Sequence, residues 1–210
     1  MTQHKTRTRR SASEVVLPLL VALVGIGGAV ACYYLIPGFQ PLELVAIIVA
    51  VVFAAVGYTQ DTLRGLISVL FAYLATGVAA TFYVPVAPFV GAPFGDEVTD
   101  PIRALSFLVL TALVWIVLEA ITHALIPDTS LPALGFLDHL GGLAVYLVLG
   151  VVVASLLFNA SGYLPRWRRQ HDAARLRPQF NQVISLLYGA QSFWFGERPP
   201  RFYVYDLAQE

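Results

Sequence analysis

Apolar residues fall into five long runs parted by short polar or proline-bearing joints: Val15 to Ile36, Leu42 to Gly57, Leu66 to Val84, Ile102 to Ile126 and Leu140 to Ala160. A bilayer core about 30 Å thick takes about 20 apolar helical residues, so these runs predict membrane-crossing helices. The second run is short, and a crossing there draws on Tyr58 and Thr59 or on a thinned bilayer. Proline and glycine mark the joints: Pro37-Gly38 and Pro41, then Pro85, Pro88, Pro93 and Pro101, then Pro127 and Pro132, then Gly162 with Pro165. The expected fold is all-α, a polytopic transmembrane bundle of five spans followed by a C-terminal amphipathic interfacial helix.

That last helix rests on a different pattern. Pro178 is suited to opening a helix, and Phe180, Val183, Ile184 and Leu187 follow at the spacing of one apolar face. Arg166, Trp167, Arg168 and Arg169 precede it, and Phe193, Trp194 and Phe195 follow. Such a helix either lies in the membrane interface or caps the ends of the bundle. The expected organisation is a basic cytoplasmic tail over 1–14, an N-terminal anchor over 15–36, a four-span core over 42–160, an interfacial segment over 161–195 and a tail over 196–210. The tail holds Pro199-Pro200 and RFYVYDL, read as a loosely ordered end or a partner-binding strand.

Composition agrees with a membrane protein: of 210 residues 58% are hydrophobic and 12% charged, with a mean hydropathy of +0.72. A soluble domain has about 25% charged residues. The net charge is zero, yet Lys5, Arg7, Arg9 and Arg10 crowd the start, arginines follow the last run, and acids dominate Asp96 to Asp100. No basic, aromatic-interleaved domain of a size to bind nucleic acid is present. The single Cys32 permits no intrachain disulfide. The basic start places the N-terminus in the cytoplasm, although five crossings then put Arg166 to Arg177 outside, against the usual bias. Ala29-Val30-Ala31-Cys32 also resembles a signal-peptide cleavage region, but the apolar run continues through Ile36 and favours an uncleaved anchor.

Helices in lipid approach each other through small residues. Ala46, Ala50 and Ala54 share one face of the second helix, and Ser68, Ala72, Ala75 and Ala79 one face of the third. These stripes predict that the second and third helices pack as an antiparallel hairpin.

Ionisable groups inside a bilayer cost about 2.5–3.5 kcal/mol each on insertion scales, which makes each a functional candidate. Glu119 stands in the fourth run, with His123 one turn on and Trp115 one turn back. Asp61, Arg64, Asp138 and His139 lie at the neighbouring helix ends on the same side. Arg64 is expected to reach Glu119 or Asp138, since its planar fork of donors suits carboxylates. Asp61 or Thr62 is a candidate cap for the third helix. Three uses stay open for this cluster: an ion-paired structural clasp, a proton relay through Glu119 and His123, or a metal site drawing on Glu119, His123, Asp138 and His139. No nucleophile elbow, phosphate loop or dinucleotide fingerprint occurs, so neither an enzyme nor a cofactor is expected.

The segment from Leu42 to Val84, with Arg64-Gly65 opening its second apolar run, resembles the colicin V production proteins, bacterial inner-membrane proteins with an Arg-Gly pair between their first two spans. Leu137-Asp138 leading into a helix with Gly141, Gly142 and Gly150 is similar to that family's Leu-Asp-Arg and glycine-rich stretch. Arg177-Pro178-Gln179-Phe180 is similar to its post-membrane segment. His139 stands where arginine is usual, and Leu149 where a second Arg-Gly pair is common. The resemblance covers Leu42 to Leu187, with the first span added to a four-span core. It implies a non-enzymatic role in toxin production or secretion, or in envelope maintenance. The expected partners are the lipid bilayer and other membrane proteins or a second copy of the chain. A small proton-coupled transporter or channel using Glu119 and His123, and an accessory subunit of a larger membrane complex, are the competing functions.

Overall fold

The computed structural model describes residues 12–95, 97–125 and 136–195. The basic start, the 126–135 connection with Pro127 and Pro132, and the tail from 196 lie outside them. Seven α-helices follow in order: α1 Ala12–Leu35, α2 Pro41–Gly57, α3 Thr62–Gly91, α4 Asp100–Leu125, α5 Phe136–Ser161, α6 Pro165–Ala173 and α7 Arg177–Phe195. Four of them, α1, α3, α4 and α5, are long and apolar enough to cross a membrane, whereas α2 has only 17 residues. The chain is an all-α helical membrane bundle.

Prolines act in two ways here. Pro41 and Pro165 fall in the first turns of α2 and α6, where the missing N–H has no partner to lose. Pro85 and Pro88, expected to end the third span at Val84, lie inside α3, which continues to Gly91. Tertiary packing overrides the local signal: Ala87 and Gly91 on that extension are buried, and Gly91 meets Ile102 at the start of α4. Membrane helices tolerate such prolines because neighbouring helices hold the distorted turn.

The expected hairpin of α2 on α3 is not formed. The stripes are packing faces, but both turn toward α5, which stands between the two helices. Ala46 and Ala50 join Ala154 and Phe158 in one buried cluster, and Ala72 joins Tyr146 and Leu149 in another. Ala79 and Ala80 pack with Phe107 of α4 and Leu156 of α5. The glycines of α5 are what let it in. A Cβ on Gly150 would lie 2.6 Å from the Phe53 Cβ and 2.9 Å from the Ala50 carbonyl oxygen. Gly142 sits directly against the carbonyls of Gly57 and Gln60, and Gly141 against Thr62. With α5 inserted at the α2–α3 turn, the alanine faces have no room to meet each other.

The contacts make α1 through α5 alternate in direction, so α2, α3, α4 and α5 bring one end each to the region around Arg64. From the opposite end α6 and α7 fold back onto the bundle, α7 reaching Tyr73 and Thr76 near the middle of α3. Phe180 tilts against Phe158 with ring centroids 4.7 Å apart, and Ile184 is fully buried among Ala79, Tyr83, Phe107 and Leu156. The stripe of α7 therefore rests on protein, along α3 and α5, while Leu186 and Phe193 stay exposed on its other side.

Candidate functional site

The turn between α2 and α3 sets Arg64 in the first turn of α3, facing the last turns of the antiparallel α4. Its Nε lies 3.7 Å from Glu119 Oε1, with both side chains largely shielded at 15% and 25% exposure. Arg64 Nη2 also contacts His123 Nε2, and His123 Nε2 stands 4.0 Å from the same Glu119 oxygen. The other Glu119 oxygen accepts a 2.9 Å hydrogen bond from the Ser68 hydroxyl, which lies 3.4 Å from the Tyr146 hydroxyl of α5. A carboxylate at membrane depth is thus held by a guanidinium and a hydroxyl from α3, the neutralised arrangement that such a position demands.

Asp138 ties a second pair of helix ends. Its Oδ1 accepts from the Thr62 backbone N–H at 2.9 Å, and the Thr62 hydroxyl donates to the Asp138 carbonyl at 2.8 Å. Asp61 occupies the N-cap position of α3 but makes no side-chain capping bond; the cap comes across from α5. A carboxylate on exposed helix N–H groups also complements the helix dipole. Gly65 has Val145 and Tyr146 of α5 against it, so the Arg-Gly pair serves two contacts: the arginine reaches α4 and the glycine admits α5. His139 stacks on Tyr58, centroids 5.6 Å apart. Among the described residues, no three of His, Cys, Asp and Glu come together as a set that would hold a metal ion.

Beside the clasp lies a cleft of about 260 Å³ between α2 and α4, lined by Val52, Phe53, Ser68, Trp115, Glu119 and Tyr146. Trp115 stacks on Phe53 across it at 5.9 Å, and the Trp115 indole N–H is buried without a hydrogen-bond acceptor among the described residues.

At the other end stands a group that pattern reading passed over. Glu43 is fully buried. One oxygen accepts the Gln40 N–H and the other the Leu176 N–H, each at 2.6 Å, so one carboxylate closes the start of α2 and ties on the turn before α7. The signal was in the Gln40-Pro41-Leu42-Glu43 spacing, a capping box. Along α7, the Gln191 amide donates to the Thr76 hydroxyl at 2.7 Å, and the Tyr73 hydroxyl donates to the Ala190 carbonyl at 2.8 Å. Trp167 packs beside the cluster around Phe158, and Arg166, Arg168 and Arg169 are exposed.

Comparison with protein families decides the relationship: the family of colicin V production proteins matches residues 42–185. The chain belongs to the colicin V production protein family. Compared with curated proteins and with solved structures, it matches none. The match takes in the Arg64-Gly65 turn, Glu119, Asp138 and the glycines of α5, together with Glu43 and its Leu176 partner. It leaves out α1, which packs chiefly on α2 through Gly25 against Val51. This family member is a multi-pass membrane protein.

Proposed function

We propose that the chain is a non-enzymatic protein of the bacterial inner membrane that serves production or secretion of a colicin V-type toxin, or maintenance of the envelope, by acting on partner proteins. The family match over residues 42–185 carries this reading. The geometry supports it, because Arg64, Glu119, Asp138 and Glu43 are each engaged in tying helix ends together. In the proposed orientation the N-terminus and the Arg64 end face the cytoplasm, and α6 and α7 lie on the outer side. The test is a deletion strain complemented with the wild type or with Arg64→Ala, scored for toxin released to the medium and for sensitivity to detergent. Lower toxin release or greater detergent sensitivity on deletion, reversed by the wild type, is the expected result. Unaltered toxin release and envelope resistance in the deletion strain would overturn the proposal.

One observation favours a second reading, proton-coupled transport. The Glu119–Ser68–Tyr146 chain borders the cleft between α2 and α4, and carboxylates so placed serve proton relays. Solute or proton flux into proteoliposomes that Glu119→Gln abolishes would establish it; no flux with the wild type would remove it.

A further inference from the structure

Two apolar grooves fork around one ridge at the Glu43 end of the bundle. The wider, about 750 Å³, lies between α4 and α5 and is lined by Ile102, Leu105, Leu108 and Ala160 among others. The narrower, about 240 Å³, lies between α2 and α5 and is lined by Leu42, Val45, Val49 and Trp167. Leu157, Ser161 and Leu164 border both grooves, and Leu157 and Leu164 are 42% and 41% exposed. Immediately after Leu164 the chain enters α6, which carries three arginines in four residues. Arg168 is drawn toward Asp172, at 4.0 Å. Arg166 and Arg169 are exposed and, among the described residues, make no ion pair.

Two apolar grooves sharing the Leu157–Leu164 ridge, with the arginines of α6 next in the chain after it, match a single molecule with two hydrocarbon chains and one anionic head. We infer that this end of the bundle holds one anionic diacyl phospholipid, its chains straddling the Leu157–Leu164 ridge and its phosphate against Arg166 and Arg169. The inference rests on the bilayer placement of the apolar helices and is independent of the toxin reading. The larger volume falls within the range of ordinary ligand sites. Glu97 and Thr99 line only the wide groove; the acid there repels a phosphate and leaves the α6 side as its place. A helix from a second copy would fill the wide groove but would leave the narrow one and the exposed arginines unexplained.

The experiment is native mass spectrometry of the full chain in detergent, titrated with dioleoylphosphatidylglycerol or dioleoylphosphatidylcholine. The wild type is expected to retain one phosphatidylglycerol in preference to phosphatidylcholine. R166Q/R169Q should weaken that binding roughly thirtyfold, the product of two arginine contacts with an anionic head, and R166K/R169K should restore most of it. Both arginines are exposed, so an unchanged melting temperature will show that the charge variants fold. Ala160→Phe, which fills the wide groove, should weaken the two-chain lipid while a single-chain lysophosphatidylglycerol still binds. Equal retention of the two headgroups, retention indifferent to R166Q/R169Q, or equally tight binding of chain-free glycerophosphoglycerol would each overturn the inference. So would displacement of lipid by a second copy of the chain.

Discussion

Replacing Glu43 separates the two ends of the molecule most cleanly. Its carboxylate is fully buried and accepts two backbone N–H groups, Gln40 and Leu176, each at 2.6 Å. Hydrogen bonds to a charged group contribute about 1.5–3 kcal/mol each. Only the Leu176 bond holds α7, so Glu43→Ala should cost the α7 attachment up to about 3 kcal/mol. Glu43→Gln keeps one acceptor oxygen and should cost about half as much. At about 1.4 kcal/mol per tenfold, the backbone amides from Leu176 to Tyr188 should exchange hydrogen roughly a hundredfold faster in Glu43→Ala and about tenfold faster in Glu43→Gln. The amides around Arg64 and Glu119 should keep their protection, because they lie at the far end of the bundle. Unchanged exchange over Leu176 to Tyr188 in Glu43→Ala would refute the tie between α2 and α7.

Gly142→Ala drives a Cβ into the carbonyls of Gly57 and Gln60; overpacking of that kind costs about 1–3 kcal/mol, seen as a melting temperature lower by several degrees, whereas Gly27→Ala, with nothing nearby, should leave it unchanged. Asp138→Ala removes the cap on Thr62 and should destabilise the start of α3 by about 1–2 kcal/mol, read from denaturant unfolding in mixed micelles. Thr76→Val takes the acceptor from Gln191 and should cost about 1 kcal/mol, with faster hydrogen exchange confined to the last turns of α7.

Helix existence was plain from the runs because few arrangements other than a helix satisfy backbone groups in lipid. The meeting of Arg64 with Glu119 and His123 was legible for a related reason: one turn separates the acid from the histidine on α4, and a four-residue turn fixes the arginine at the same end. Partner choice was less visible. Alanine stripes mark where a helix packs but carry no label for its neighbour, so Ala46 and Ala72 read equally well as facing each other or α5. Gly142 and Gly150 decide between them, through a close approach that only the folded chain displays. Pro85 and Pro88 misled because the packing beside their turns comes from another helix, α4, which the local pattern does not display. Glu43 was hidden because its second partner, Leu176, lies far along the chain, and Asp138 because its acceptor role depends on α5 arriving beside Thr62.

The clasp itself is best tested by a double-mutant cycle on Arg64→Ala and Glu119→Ala, with unfolding followed in mixed micelles. Side chains this shielded should couple by at least about 1 kcal/mol, the double variant losing less than the two single variants summed. Strictly additive losses would contradict an Arg64–Glu119 tie between α3 and α4.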